Sequence, residues 1–210
     1  MDTDQGRALT AGVALLERAI EYALGSLCDV TTAALCHPTP CAGWTLERLL
    51  AHINDSLSTL NEAATGHVSP RSRRTPRLRA TRRVAGAAAV ANPALLLRDD
   101  ATQVLGTWAG TLAHDVISLH DRHLTSPMVA AVGAIEITVH GWDVAAACGE
   151  LRPIPALMAE ELLDLARLFV TDADRPARFG RRLTVPADAP AQHHLLAHVG
   201  RDPDWSPSGT

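Results

Sequence analysis

The stretch IEITVHGWDV at 135–144 is an apolar run that carries three groups able to do chemistry, Glu136, His140 and Asp143. On a helix each residue turns the side chain by about 100°, so Glu136 and His140 stand one turn apart, about 40° from each other, and Asp143 returns to the same stripe. The rest of that stripe is Val129, Val132 and Gly133, and the other faces hold Ile135, Ile137, Val139, Val144, Ala145 and Ala146. A helix apolar on all sides is normally buried. A lone buried carboxylate is costly, so Glu136 requires a cation, a metal or a hydrogen-bond donor. A Glu and a His one turn apart can hold one metal ion from one helix face, the spacing used by the two His of an H-E-x-x-H helix. The plainer reading is a hydrogen-bonded polar pair, with Asp143 capping a neighbouring group.

A metal site needs a third ligand from another element. His52, in ERLLAHINDS at 47–56, is the best candidate. It lies about 60° from Leu49 at the flank of an apolar stripe, a position that suits the rim of an internal pocket or an ordinary surface histidine. Two other sets compete: His114, His120 and His123, and the one-turn pair His194 and His198. Neither lies in an apolar context that forces a buried polar site. Cys36-His37-Pro38-Thr39-Pro40-Cys41 resembles a metal clip, but no second Cys/His pair follows at zinc-finger spacing.

Six helices are needed to place these groups. Val13, Leu15, Leu16, Ile20, Ala23, Leu24 and Leu27 recur at helical spacing over 7–27. Thr45 as N-cap, with Glu47 in the first turn, opens a second helix whose stripe is Leu46, Leu49, Leu50, Ile53, Leu57 and Leu60, ending near Gly66. Asn92-Pro93 and Ser126-Pro127 each read as a cap followed by Pro at the first helical position. They open a third helix to about Trp108 and the fourth, which holds Glu136 and ends near Gly149. Residues 112–125 read as irregular or briefly extended. A fifth helix spans about 156–171 and a short sixth about 190–199. The class is all-α, a helical bundle in one domain over 1–210, with an Arg-rich loop at about 67–91 and a polar tail at about 200–210.

The whole chain restricts the partners. Its net charge is −4 and its aromatic content 3%, and its densest basic run, Arg71, Arg73, Arg74, Arg77, Arg79, Arg82 and Arg83, is local. Nucleic-acid binding is therefore not expected. The Arg run reads as a solvated loop or as a lid for an acidic ligand. No 18 residues are apolar without interruption, so no membrane span is expected. The first residues lack the features of a signal peptide, which makes a cytoplasmic setting the expectation and Cys28, Cys36, Cys41 and Cys148 reduced thiols.

Three blocks carry a resemblance: TPCAGWTLERLLAHI at 39–53, EITVHGWDVAAACG at 136–149 and RFGRRLTVPADAPAQHHLLAHVGRDPDW at 178–205. In this order they resemble the actinobacterial DinB-like family that includes the metal-binding domain of mycothiol-dependent maleylpyruvate isomerase. The resemblance covers most of the chain and is loose over 67–125. It implies a DinB-like four-helix bundle with short additional helices and a divalent metal, usually zinc. Carried over residue by residue, the ligands it implies are His52, Glu136 and His140. Two His and one carboxylate, with water on an open position, form the pattern of a catalytic zinc. Asp143 also belongs to the motif and is read as orienting a ligand or a bound water, and Trp142 as packing.

Two departures qualify what the resemblance implies. The isomerase has a further C-terminal domain that this chain is too short to contain, so maleylpyruvate isomerisation itself is not the expectation. Cys148 stands where a Thr or similar small residue is expected before Gly149; it reads as a small buried hydrophobe, more than two turns beyond His140. The function implied is a metal-dependent enzyme that uses mycothiol or a similar low-molecular-weight thiol for S-transfer or isomerisation of a small electrophile. A thiol-independent metal enzyme performing elimination, hydrolysis or cyclisation is the alternative, and a non-catalytic metal- or ligand-binding bundle is the third reading. Bundles of this kind often pair, so a homodimer is a further expectation, with no interface legible in the sequence.

Overall fold

The computed structural model describes residues 2–64, 93–109, 117–119 and 122–207. The Arg-rich loop lies outside the described residues, as do His114 and His120. Among the described residues six α-helices follow in order: α1 (Asp2–Ser26), α2 (Leu46–Ala64), α3 (Pro93–Ala109), α4 (Ser126–Ala147), α5 (Ala156–Phe169) and α6 (Ala191–His198). Between α3 and α4, β1 (Ile117–Leu119) pairs antiparallel with β2 (Arg122–Leu124), Ile117 opposite Leu124. The fold is all-α in substance, a DinB-like bundle of α1 to α4 with α5 and α6 packed on each other and α5 against α4.

Helix α2 forms as its pattern dictates. The Thr45 Oγ1 accepts the Arg48 N–H at 3.4 Å and the Thr45 carbonyl accepts the Leu49 N–H at 3.0 Å, which closes the first turn. The apolar stripe read from the sequence, Leu46 to Leu60, is buried along its whole length. Helix α4 begins one residue earlier than its cap signal: Thr125 is the N-cap, in extended conformation, and Ser126 is the first helical residue. Its end is a Schellman motif. Gly149 takes φ +78°, its N–H bonds the Ala146 carbonyl, and the Glu150 N–H reaches back to Ala145.

The packing partners set the topology. Gly12 of α1 lies against Ala130 of α4, and Ala23 of α1 against Gly141, so α1 and α4 run parallel. A Cβ on Gly141 would meet the Ala23 Cα at 3.0 Å, so the missing side chain is what permits this approach. Leu60 of α2 touches Gly133 and His52 reaches Glu136, so α2 runs antiparallel to α4. Trp108 donates its indole N–H to the Leu60 carbonyl at 3.1 Å, while Leu97 and Ala101 line a small apolar void with Ile53 and Leu57, which sets α3 parallel to α2. The order is up, down, down, up. Parallel neighbours require a long connection, and residues 65–92 provide the length for it.

The core is continuous from Leu16 and Ile20 through Leu49 and Leu50 to Ile135, Ile137, Leu162, Leu195 and Leu196. Helix α4 runs through its middle, buried on all sides as its composition requires. By length and apolarity alone α4 would suffice to cross a membrane, but 83% of that stretch is buried inside the protein.

Candidate metal centre

The antiparallel packing of α2 and α4 sets two i,i+4 pairs face to face: His52 and Ser56 on α2, Glu136 and His140 on α4. His52 Nε2 lies 3.0 Å from Glu136 Oε1. The Ser56 hydroxyl donates to the same oxygen. The His52 and His140 rings meet edge to face, centroids 5.0 Å apart at 88°. On the other side of His52 the Trp44 indole makes a second edge contact, also at 5.0 Å, and the Arg48 guanidinium lies over that indole at 4.5 Å. One donor atom from each of His52, Glu136 and His140 falls within 4.8 Å of the other two, and among the described residues this is the one His/Cys/Asp/Glu group so arranged.

Charge and burial explain why these groups coexist. Burial alone would raise the Glu136 carboxyl; the hydrogen bond from His52, the charges of His140 and His52 and the Ser56 hydroxyl outweigh it and hold the group at about 2. His140, 7% exposed, sets Nδ1 3.0 Å from Asp143 Oδ2. Asp143 is fully buried, which by itself would favour its neutral form. The charge of Arg201 and the contact with His140 reverse that and keep its carboxyl below the usual range. Arg201 Nε donates to both carboxylate oxygens, at 3.1 and 3.2 Å, and Nη2 donates to Oδ2 at 3.1 Å. The carboxylate in turn keeps the guanidinium charged despite its burial.

This donor set suits a divalent metal. Asp143 engages His140 at Nδ1, which fixes the ring and leaves Nε2 as the nitrogen free to ligate, the usual arrangement behind a metal-bound histidine. Tetrahedral zinc with bonds of about 2.0–2.1 Å needs ligand atoms about 3.4 Å apart. The His52 and Glu136 atoms lie 3.0 Å apart, and one donor atom from each of the three residues lies within 4.8 Å of the other two, a spacing near that requirement. The centre opens on a cavity of about 590 Å³ whose wall includes Cys41, Trp44, Val132, Phe179 and Arg201. That volume admits a small organic molecule beside the three donors.

The structure brings together His52, Glu136, His140 and Asp143, the site residues to which the sequence points. Three neighbours were not singled out by sequence reading: Ser56, Trp44 and Arg201. The signal for Ser56 was its position one turn from His52; Trp44 and Arg201 lay inside the resemblance blocks with no chemistry attached. Arg201 and Trp205 belong to the stretch read as a polar tail, yet Arg201 is 6% exposed and Trp205 packs against the core. Trp142 is buried in the core, as read. Among the described residues no rival group of three ligand atoms gathers, and the set of His114, His120 and His123 lies in part outside those residues. Cys36 is exposed while Cys41 faces the cavity, and His198 donates from Nε2 to the Ala166 and Val170 carbonyls at the end of α5. Cys148 is half-buried at the end of α4, and burial raises its thiol.

Fold and donor set together define a DinB-like helical bundle with a candidate His–Glu–His metal centre. The chain belongs to the mycothiol maleylpyruvate isomerase N-terminal domain family, whose model matches residues 16–145. The curated proteins it resembles include two uncharacterized proteins of Mycobacterium tuberculosis, Rv0738 of strain H37Rv and MT0763 of strain CDC 1551 / Oshkosh. Each is 25% identical over 187 residues, 88% of this chain and 94% of the relative. No solved structure matches the chain at a significant level. The family match stops inside α4, so Arg201 lies beyond it.

Proposed function

We propose that the protein is a metal-dependent enzyme that uses a low-molecular-weight thiol of the mycothiol type to transfer sulfur to, or isomerise, a small electrophilic substrate. The observation that carries this reading is the His52–Glu136–His140 donor set at the wall of an open cavity, in a chain of a mycothiol-related family. His52, Glu136 and His140 would hold a divalent metal, with zinc the ion that the family resemblance implies. A bound divalent metal supplies a Lewis acid that lowers the pKa of a thiol or water on its open position. The chain's own residues do the positioning. Asp143 fixes the His140 ring, Ser56 holds one oxygen of Glu136, and Trp44 walls His52. In S-transfer the thiol sulfur bonds to the electrophilic carbon and the leaving group departs; in isomerisation the same sulfur adds and is later expelled. A cytoplasmic setting, where such thiols stay reduced, fits this chemistry.

The test begins with metal content of the purified protein beside His140→Ala. About one equivalent in the wild type, lost in the variant, is the expected result. Turnover of small electrophiles is then measured with and without thiol. Thiol-dependent turnover supports the reading. Turnover without thiol moves it to a metal-water enzyme, and metal without any turnover leaves a binding bundle. A wild-type protein that takes up no zinc sinks the metal chemistry altogether.

A further inference from the structure

Arg201 reaches the centre because the chain after α6 is turned by a second Schellman motif. The Gly200 N–H bonds the Ala197 carbonyl at 3.2 Å, the Arg201 N–H bonds the Leu196 carbonyl at 2.8 Å, and Gly200 adopts φ +82°. Gly200 also lies against the backbone of Gly180, where a Cβ would sit 2.5 Å from the Gly180 Cα and carbonyl carbon. Arg175 ties the same knot by donating to the Gly180 and His198 carbonyls. The guanidinium then enters α4 and grips Asp143, whose other contact is His140. A continuous buried chain of hydrogen bonds therefore runs from the α6 turn through Arg201 and Asp143 to the ring nitrogen of a candidate ligand.

We infer that Arg201 is a positioning residue for the metal centre, and that docking of the segment 175–201 and metal binding are thermodynamically linked. This rests on the reading of His52, Glu136 and His140 as metal ligands. If His140 ligates through Nε2, its orientation depends on Asp143, and that of Asp143 on the fork of Arg201. Linkage is reciprocal, so a metal that favours the oriented ring also favours the docked segment. The same segment supplies Ala177, Arg178 and Phe179 to the cavity wall, so one docking event builds both the centre's support and its enclosure.

The test uses zinc and the full chain. Zinc affinity is measured by competition with a chromophoric chelator for the wild type, Arg201→Gln and Arg201→Lys, with Leu9→Ala, a buried position near the start of α1 outside both the segment 175–201 and the cavity wall, as a destabilised control. The expected result is a loss of about 10- to 100-fold for Arg201→Gln. A smaller loss is expected for Arg201→Lys, which keeps the charge but not the fork, and none for Leu9→Ala. Hydrogen exchange on the wild type, with zinc and with chelator, gives a readout that needs no variant. Zinc is expected to slow exchange at Gly200 and Arg201 at least threefold. Equal zinc affinity in Arg201→Gln, or exchange at 196–201 indifferent to saturating zinc, overturns the inference while leaving the metal site standing. A wild type that binds no zinc overturns both.

Discussion

Asp143 and Arg201 stand 58 residues apart in the chain and meet through three N–H···O bonds of 3.1 to 3.2 Å, one partner fully buried and the other 6% exposed. Removing one member of such a pair leaves the other as an unpaired charge. Arg201→Met is expected to cost about 3–5 kcal/mol in denaturant unfolding. The double variant Asp143→Leu/Arg201→Met is expected to recover most of that loss, because both charges are gone, yet to bind zinc poorly. A cost below about 1 kcal/mol for Arg201→Met would show that the pair contributes little to the fold.

Acid should unfold the metal-free protein through the same groups. The Glu136 and Asp143 carboxyls both lie below their ordinary values in the folded protein. A lowered folded pKa contributes stability that is present above the unfolded value, near 4, and is lost as pH falls towards the folded value, about 2 for Glu136. Glu136 is about a third exposed, so solvent screening reduces its share to the order of 1–2 kcal/mol. Thermal midpoints from pH 5 to pH 2 should fall more steeply in the wild type than in Glu136→Gln. Parallel curves would show that Glu136 titrates alike folded and unfolded.

Two glycines make opposite predictions. At Gly200 an alanine would have to hold a left-handed φ, at about 1–2 kcal/mol, and would also press its Cβ into the Gly180 backbone. Gly200→Ala should cost more than about 2 kcal/mol. At Gly133 the added Cβ meets the Leu60 side-chain tip at 2.6 Å, which can turn aside, and alanine favours the helix by up to about 1 kcal/mol. Gly133→Ala should lie within about 1 kcal/mol of the wild type. Equal losses at the two positions would contradict the tight contact between Gly180 and Gly200.

Trp44 holds His52 by an edge contact worth about 0.5–1.5 kcal/mol. Trp44→Ala should therefore weaken zinc binding about twofold to tenfold, and Trp44→Phe much less. Chelator competition measures both. Unchanged affinity in Trp44→Ala would mean that Glu136 and Ser56 suffice to place the centre's α2 side.

Much of this was legible from local rules. The α2 stripe, its Thr45 cap and the Gly149 stop are written in neighbouring residues, and each acts over one or two turns. Glu136, His140 and Asp143 were visible because three polar groups on one stripe of an apolar helix demand an explanation. Arg201 was not visible, because its burial depends on a turn at Gly200 and on a partner 58 residues away. In sequence it is one more charge in RDPDW, and polarity there reads as solvent. Ser56 escaped for a related reason: a lone helical serine gains meaning only when α4 arrives opposite. The hairpin before α4 reads only as an irregular or briefly extended segment, because its strands are three residues each, too short to show alternation.

The all-round burial of α4 also bears on how the chain comes into being. Synthesis completes α4 before any of α5 or α6 has emerged, although those later helices supply part of its cover. When α4 clears the ribosome, α5 and α6 are still enclosed or unmade, so the nascent chain displays an apolar helix of membrane-spanning length with one flank bare. Its earliest protection is α1, already made and already shaped at Gly12 and Ala23 to receive it. The closeness of that seam is a safeguard during birth as much as a feature of the finished fold: premature stop or slow translation beyond Gly149 would leave the nascent protein open to aggregation or to misdelivery into a bilayer.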